Sequence, residues 1–114
     1  GAVKMSEELH RLAPNLPTTG ECKVPCAEVD KLRVVDLITN EFAEFESSTV
    51  DGVRVKFHVD GDYVGWYLAR KSNTEPVLVM RAEANSQSNL ALIQQHIESK
   101  VSQHIDISKL LEAF

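Results

Sequence analysis

Seven consecutive residues, Arg70-Lys71-Ser72-Asn73-Thr74-Glu75-Pro76, gather the groups that hold an anion. Arginine carries a planar fork of donors that matches two oxygens of a phosphate. Ser72 and Thr74 add short hydroxyl donors, and Asn73 adds an amide donor. Asparagine also tolerates left-handed backbone geometry, which would let successive N–H groups converge in an anion-binding nest. Lys71 either adds positive charge to the site or points into solvent, and Pro76 restricts the exit of the loop. The chemistry these residues suit is a phosphate cradle between two strands. The bland alternative is a polar hairpin loop in which Ser72, Asn73 and Thr74 only satisfy turn backbone.

Other residues with chemical potential do not converge in the sequence. Cys22 and Cys26 are four apart, a spacing unusual for zinc, with no nearby Cys or His partners, so they read as two partly buried thiols and no metal site is expected. His10, His58, His96 and His104 are scattered and read as surface or edge residues. Asp60-Gly61-Asp62 superficially suggests a metal loop, but Tyr63-Val64 follow, and the run reads as a hairpin turn. Trp66, Tyr63 and Tyr67 could stack on bases, but Trp66 shares strand parity with Val64 and Leu68, which points it to the core.

Bulk properties narrow the function classes. The chain has 114 residues, enough for one domain and one core. Lys plus Arg total 12 against 17 Asp plus Glu, a formal charge of −5. That argues against a general nucleic-acid surface, with Arg70 and Lys71 as a local exception. No apolar run approaches the ~20 residues needed to span a bilayer. The start, Gly1-Ala2-Val3-Lys4, has no apolar leader core, so a cytoplasmic location is expected. Position 1 is not Met, and the expectation is a piece of a larger enzyme.

The elements that must position the loop follow from periodicity. Residues 4–12 read as a short helix with Met5, Leu9 and Leu12 on one face, stopped by Pro14. Asn15 to Gly20 is linker chemistry. Glu21 to Pro25 suits a short strand. Residues 28–45 read as an amphipathic helix with Val29, Leu32, Val35, Ile38, Phe42 and Phe45 facing the core, and Asp30, Lys31, Arg33, Asn40 and Glu44 outward. After a tight turn at 50–53, Val53, Val55, Phe57 and Val59 alternate with Arg54, Lys56 and His58, which specifies a strand with one wet face. Strands at 63–70 and 77–84 complete a meander, and Ser86 caps a helix over about 87–104. Residues 106–114 add a helical turn. The fold class is α+β: a four-stranded, mostly antiparallel sheet with two helices on one face, in the order β-α-β-β-β-α.

The run from Gly65 to Ala84 resembles the C-terminal, fourth domain of the α-D-phosphohexomutases, most of all the phosphomannomutase/phosphoglucomutase branch. The family's phosphate-binding loop is Arg-x-Ser-(Gly/Asn)-Thr-Glu-Pro, and residues 70–76 fit every defined position. Val50-Asp51-Gly52-Val53, Trp66 four residues before the arginine, and Thr19-Gly20-Glu21 are similar too. The resemblance covers roughly residues 18–101, and residues 4–13 look like the helix that ends the preceding domain. Asn73 tilts the comparison away from phosphoglucosamine mutase. Lys71 departs from the Pro or Ala frequent at that position.

The resemblance implies a TATA-binding-protein-like fold and one part of a four-domain mutase. In that family a phosphoserine of the first domain exchanges phosphoryl groups with a hexose phosphate. Magnesium sits on an Asp-rich loop of the second domain, and the fourth domain grips the phosphate that does not react. It follows, as expectation, that Arg70, Ser72, Asn73 and Thr74 anchor the non-transferred phosphate of mannose or glucose 1- or 6-phosphate, with Lys71 a further candidate. This domain would hold no cofactor, magnesium belonging to the full-length enzyme, and would turn nothing over alone. Its partners would be the sugar phosphate and the upstream domains of the same chain, with neither nucleic acid nor membrane. Residues 1–17 would form an interdomain helix and hinge, and 18–114 the domain. A stand-alone binding or regulatory module of the same fold is the alternative.

Overall fold

The structure is a computed structural model that describes residues 16–114, so the helix expected over residues 4–12 lies outside the described part. Pro17 to Thr19 are stitched to a strand further on: the Ala84 amide donates to the Pro17 carbonyl at 3.0 Å, and Thr19 exchanges bonds of 3.0 Å with Ala82. Gly20 then turns the chain with a φ of 68°, a region open to glycine.

Strand β1 (Cys22–Pro25) leads through a single 3-10 turn (Glu28–Asp30) into helix α1 (Lys31–Glu41). A short strand β2 (Ser47–Ser48) follows, then β3 (Val53–Val59), β4 (Asp62–Lys71) and β5 (Val77–Ala84). Helix α2 (Gln87–Val101) and the one-turn α3 (Ser108–Leu111) finish the chain. The sheet has the order β1-β5-β4-β3-β2, with every neighbouring pair antiparallel. The fold is α+β as expected, but with five strands where four were anticipated. The two-serine β2 has neither the length nor the apolar alternation that marks a strand in sequence.

The β3–β4 hairpin turns through Asp60 and Gly61, with φ of 53° and 86°. Two successive positive φ values match the right-handed twist of the strands, which is why Asp-Gly is favoured there. At the other end of the meander Ser86 caps α2, its side chain accepting from the Asn89 amide at 3.1 Å.

One face of the sheet and both long helices enclose the core. Val53, Val55 and Phe57 of β3 meet Tyr67 and Ala69 of β4, Met80 and Ala82 of β5, and Ile93 and Ile97 of α2. Each fully buried aliphatic or aromatic side chain contributes about 1.5–3 kcal/mol. Gly65 is required where α2 crosses β4. A Cβ there would overlap the Glu83 carbonyl oxygen and approach Ile93 Cδ1 at 2.7 Å.

Two expectations about side-chain direction are corrected. Trp66 is buried but is not part of the core. Its cross-strand partners are Lys56 and Glu83, so it lies on the outer face of the sheet, with Leu68 beside it. The buried parity of β4 over this stretch belongs to Gly65, Tyr67 and Ala69. On α1 the buried stripe is Lys31, Val34 and Ile38, continued by Phe42, whereas Val29 and Leu32 are exposed. The helix begins three residues later than its apolar pattern suggested. At 3.6 residues per turn Lys31 shares the face of Val34 and Ile38 while Leu32 falls off it, and Val29 lies in the 3-10 turn before the helix, so Val29 and Leu32 stay outside and Lys31 is brought in.

Candidate functional site

Strand parity places Arg70. Its neighbour Ala69 is fully buried against the core, so Arg70 leaves β4 on the outer face. One guanidinium nitrogen lies 3.8 Å from a Glu21 carboxylate oxygen, an ion pair too long for a hydrogen bond. Beside it, a cavity of about 280 Å³ is lined by Arg70, Leu68, Arg54, Ser48, Val50 and Asp51. Gly52 allows the close approach of this rim. It has a φ of 80°, and a Cβ there would overlap the Ala69 carbonyl oxygen and sit 2.6 Å from Arg70 Cβ.

The loop itself is built on Ser72, which is 8% exposed. The Ser72 hydroxyl oxygen accepts from the Thr74 and Glu75 amides, both at 3.2 Å. The Ser72 amide donates to the Val77 carbonyl at 3.1 Å, and the Val77 amide to the Glu75 carbonyl at 2.8 Å. A hydroxyl has two lone pairs and one hydrogen. Two amides occupy the lone pairs, and the hydrogen is left to donate. Ser72 thus does the turn-satisfying work of a plain hairpin loop while keeping its donor. Asn73 and Thr74 are exposed at the tip. Lys71 is exposed too, its ammonium donating to the Asn73 side-chain oxygen at 3.3 Å.

Two features of the loop differ from expectation. Asn73 is not left-handed: among the described residues Asp60 is the one non-glycine residue with positive φ. The loop is shaped by the Ser72 side chain instead. The second feature is Lys31, which the helical pattern assigned to the wet face. It is 2% exposed, and its ammonium donates to the Ser72 and Glu75 carbonyls at 2.6 Å each. Its third contact is the Glu28 carboxylate at 2.9 Å. The signal was present as a charged residue at helical spacing from Val34, Ile38 and Phe42. Lys23 supports the loop from outside, pairing with the Glu75 carboxylate at 2.8 Å; that hydrogen bond and charge push the Lys23 pKa up.

The positive charge around Arg70 is wider than Arg70 and Lys71. Register puts Lys23, Arg54, Lys56, Arg70 and Arg81 on the same outer face. Carboxylates are interleaved with them: Lys56 pairs with Glu46 at 3.4 Å and Arg81 approaches Glu83 at 3.8 Å. The Arg54 and Arg81 guanidiniums lie 4.7 and 5.9 Å from the centre of the Trp66 ring, within the range of cation–π attraction.

Elsewhere the described residues offer less chemistry. Cys22 and Cys26 are free thiols whose pKa values burial pushes up, so they are poor thiolates. His96 sits between Phe45 and Phe57, with ring centres 5.3 and 5.5 Å away, and His104 contacts Glu41 at 2.7 Å. No three His, Cys, Asp or Glu side chains among the described residues are placed to hold a metal ion.

Comparison with known proteins agrees on one family. Residues 21–100 match the family described as phosphoglucomutase/phosphomannomutase, C-terminal domain. A phosphomannomutase/phosphoglucomutase from Pseudomonas syringae pv. tomato is 35% identical over 107 residues, 90% of this chain and 22% of that protein. A probable phosphoglucosamine mutase from Methanosphaera stadtmanae is 34% identical over 97 residues, 81% of this chain and 20% of its own. Among solved structures, a phosphoglucomutase/phosphomannomutase family protein from Burkholderia thailandensis superposes with a TM-score of 0.61 at 31% identity, over 90% of this chain and 20% of that one. The chain thus spans about a fifth of the length of these relatives. With its antiparallel sheet, its two helices and its Arg-x-Ser-Asn-Thr-Glu-Pro loop, this chain belongs to the phosphoglucomutase/phosphomannomutase family, as its C-terminal domain.

Proposed function

We propose that the β4–β5 loop binds the non-transferred phosphate of a hexose phosphate, mannose or glucose 1- or 6-phosphate, within a larger mutase. The observation that carries this reading is the loop's construction. Arg70 stands at its start with one long ion pair, Ser72 keeps a hydroxyl hydrogen to give, and Asn73 and Thr74 are displayed at the tip. Each of these groups donates, and none must be deprotonated to act. Arg70 would take two phosphate oxygens as a fork, while Ser72, Asn73 and Thr74 meet the remaining lone pairs. Lys71 adds charge at the rim.

The role is positioning. Binding the remote phosphate supplies energy that closes the cleft and orients the reacting end, without the loop touching the transferred group. The reading therefore includes no turnover by this domain alone, and partnership with upstream domains of the same chain. The hydrogen bonds that tie Pro17 and Thr19 to β5 support a domain boundary near residue 17. No three His, Cys, Asp or Glu side chains among the described residues are placed to hold magnesium, and in this reading the ion would be held by the upstream domains.

Titrating the isotope-labelled chain with glucose 6-phosphate or mannose 6-phosphate tests the reading. The amide signals of residues 70–74 should move saturably, and Arg70→Ala should abolish the shifts while other amides stay in place. In a chain carrying the upstream domains, the same variant should lower turnover about 10–100-fold, the scale of a lost charged hydrogen-bonding pair. Unmoved loop amides at high ligand, or an Arg70→Ala chain that is globally unfolded, would sink the assignment.

A further inference from the structure

Lys31 is the least exposed charged residue among those described, and it lies directly beneath the loop. Its ammonium has three hydrogens and three acceptors: the Ser72 carbonyl, the Glu75 carbonyl and the Glu28 carboxylate. The two carbonyls flank the loop tip, and the lysine reaches them from 41 and 44 residues upstream. A plain hairpin loop needs no such support. The Glu75 carbonyl already accepts from the Val77 amide, and Ser72 already closes the turn through its own side chain.

Peptide geometry gives this contact a direction. The chain has no cis peptide bond among the described residues, so each carbonyl and the N–H that follows it point opposite ways. Holding the Ser72 carbonyl down onto Lys31 therefore turns the Asn73 N–H up, away from the protein. The amides of Thr74 and Glu75 are already given to the Ser72 hydroxyl, whereas the Asn73 amide has no acceptor among the described residues. At the other contact the next residue is Pro76, which has no N–H to aim, so there the lysine only anchors.

Charge works in the same sense. The counter-ion on Lys31, Glu28, is 74% exposed and screened by water, while the ammonium is buried. A buried charge is screened far less than a solvated one, so the loop side experiences a net positive field.

We propose that Lys31 is the positioning residue of the phosphate loop: it aims the Asn73 amide at the bound anion and places a buried positive charge beneath it. This rests on the reading of the loop as a phosphate site. The loop thereby has a cation on each side, Arg70 facing the ligand and Lys31 behind the backbone.

The test compares wild-type chain with Lys31→Met, which keeps an unbranched side chain without the charge, using amide spectra during titration with inorganic phosphate. The core amides of Val55, Tyr67 and Ile97 should stay in place, and the Asn73 amide should be displaced even without ligand. Phosphate should bind about tenfold more weakly, as expected for losing one partly screened charge within several ångströms. The wild-type ammonium is a second readout that needs no variant. Its 15N signal should exchange slowly with solvent and move when phosphate binds. A folded Lys31→Met chain with the wild-type Asn73 position and phosphate affinity overturns the proposal. So does a Lys31 ammonium that exchanges as fast as those of exposed lysines, and this arm decides the matter if the variant does not fold. A protected ammonium in a chain whose residues 70–74 ignore phosphate gives a different answer: the phosphate reading fails, and Lys31 holds up a loop with no anion to serve.

Discussion

Strand β4 is connected at its two ends in different ways. At its start, Asp60 and Gly61 reverse the chain with two left-handed residues. At its end, the loop from Ser72 to Pro76 draws on a helix and a second strand: Lys31 from α1, Lys23 from β1, and the Cys26 amide donating to the Pro76 carbonyl at 2.9 Å. The first connection is solved by local backbone chemistry. The second is over-determined by long-range polar contacts, the pattern expected where a backbone must be held in place for a ligand. Supports of this kind are a better marker of function than loop composition, because a turn that only turns does not require them.

Two glycines give the widest contrast between the ends. Gly52, with φ of 80°, packs onto the backbone of Ala69 and Arg70, whereas Gly61, with φ of 86°, has nothing within 4 Å of a built Cβ. Gly52→Ala should therefore lose about 3 kcal/mol of unfolding free energy, left-handed strain plus overlap with backbone that has no room to move. Gly61→Ala should lose about 1–2 kcal/mol, the strain alone. Equilibrium urea denaturation of both variants measures the gap. Equal losses would mean that the Arg70 end is no more tightly built than the plain hairpin.

Ser72→Ala probes the loop from within and should fall between negligible and severe. Two amides lose their shared acceptor in a nearly buried setting, which amounts to about 1–2 kcal/mol. The loss of shape should also show as faster hydrogen exchange at Thr74 and Glu75, with the Asp60–Gly61 turn unaffected. Unchanged exchange at those two amides would remove Ser72 as the organiser of the loop.

Much of the architecture was legible because it follows one-dimensional rules. Alternation placed β3, Asp60-Gly61 marked the hairpin, and Ser86 marked the start of α2. The motif at residues 70–76 stood out by residue type. What stayed hidden depends on phase or on distance. The parity of Val64, Trp66 and Leu68 identified a face without saying which, and Trp66 is covered by Arg54 and Arg81 on the outer side. A bulge at Phe57/His58 shifts the β3–β4 register and lets Val64 join the core although Trp66 does not. On α1 a stripe begun at Val29 and Leu32 runs one position out of phase with the buried one of Lys31, Val34 and Ile38, so Lys31 passed for a solvated residue. Asn73 does not adopt the left-handed conformation its residue type allows, because the Ser72 hydroxyl shapes the tight loop instead. Residue type singled out the loop's donor groups, but their supports are contacts between residues some 40 positions apart.

Lys71 and Lys31 reduce the comparison to one residue type at one loop. Both are lysines near Ser72, but one is exposed with a single 3.3 Å bond to Asn73, and the other is buried with three short contacts. Exposed charges contribute little to folding, so Lys71→Ala should change stability by less than about 0.5 kcal/mol. Its effect on an anion should also be small and carried by solvent-screened attraction, which falls off over ~8 Å at physiological salt. Phosphate affinity should therefore drop by about two- to threefold at low ionic strength, a fraction of a kcal/mol for an exposed pair. The difference should vanish as salt is raised, because screening removes what Lys71 supplied. Phosphate titrations at two salt concentrations measure this directly. A loss that persists at high salt would place Lys71 in direct contact with the anion, and the division between a lysine that supports the loop and one that decorates its rim would have to be redrawn.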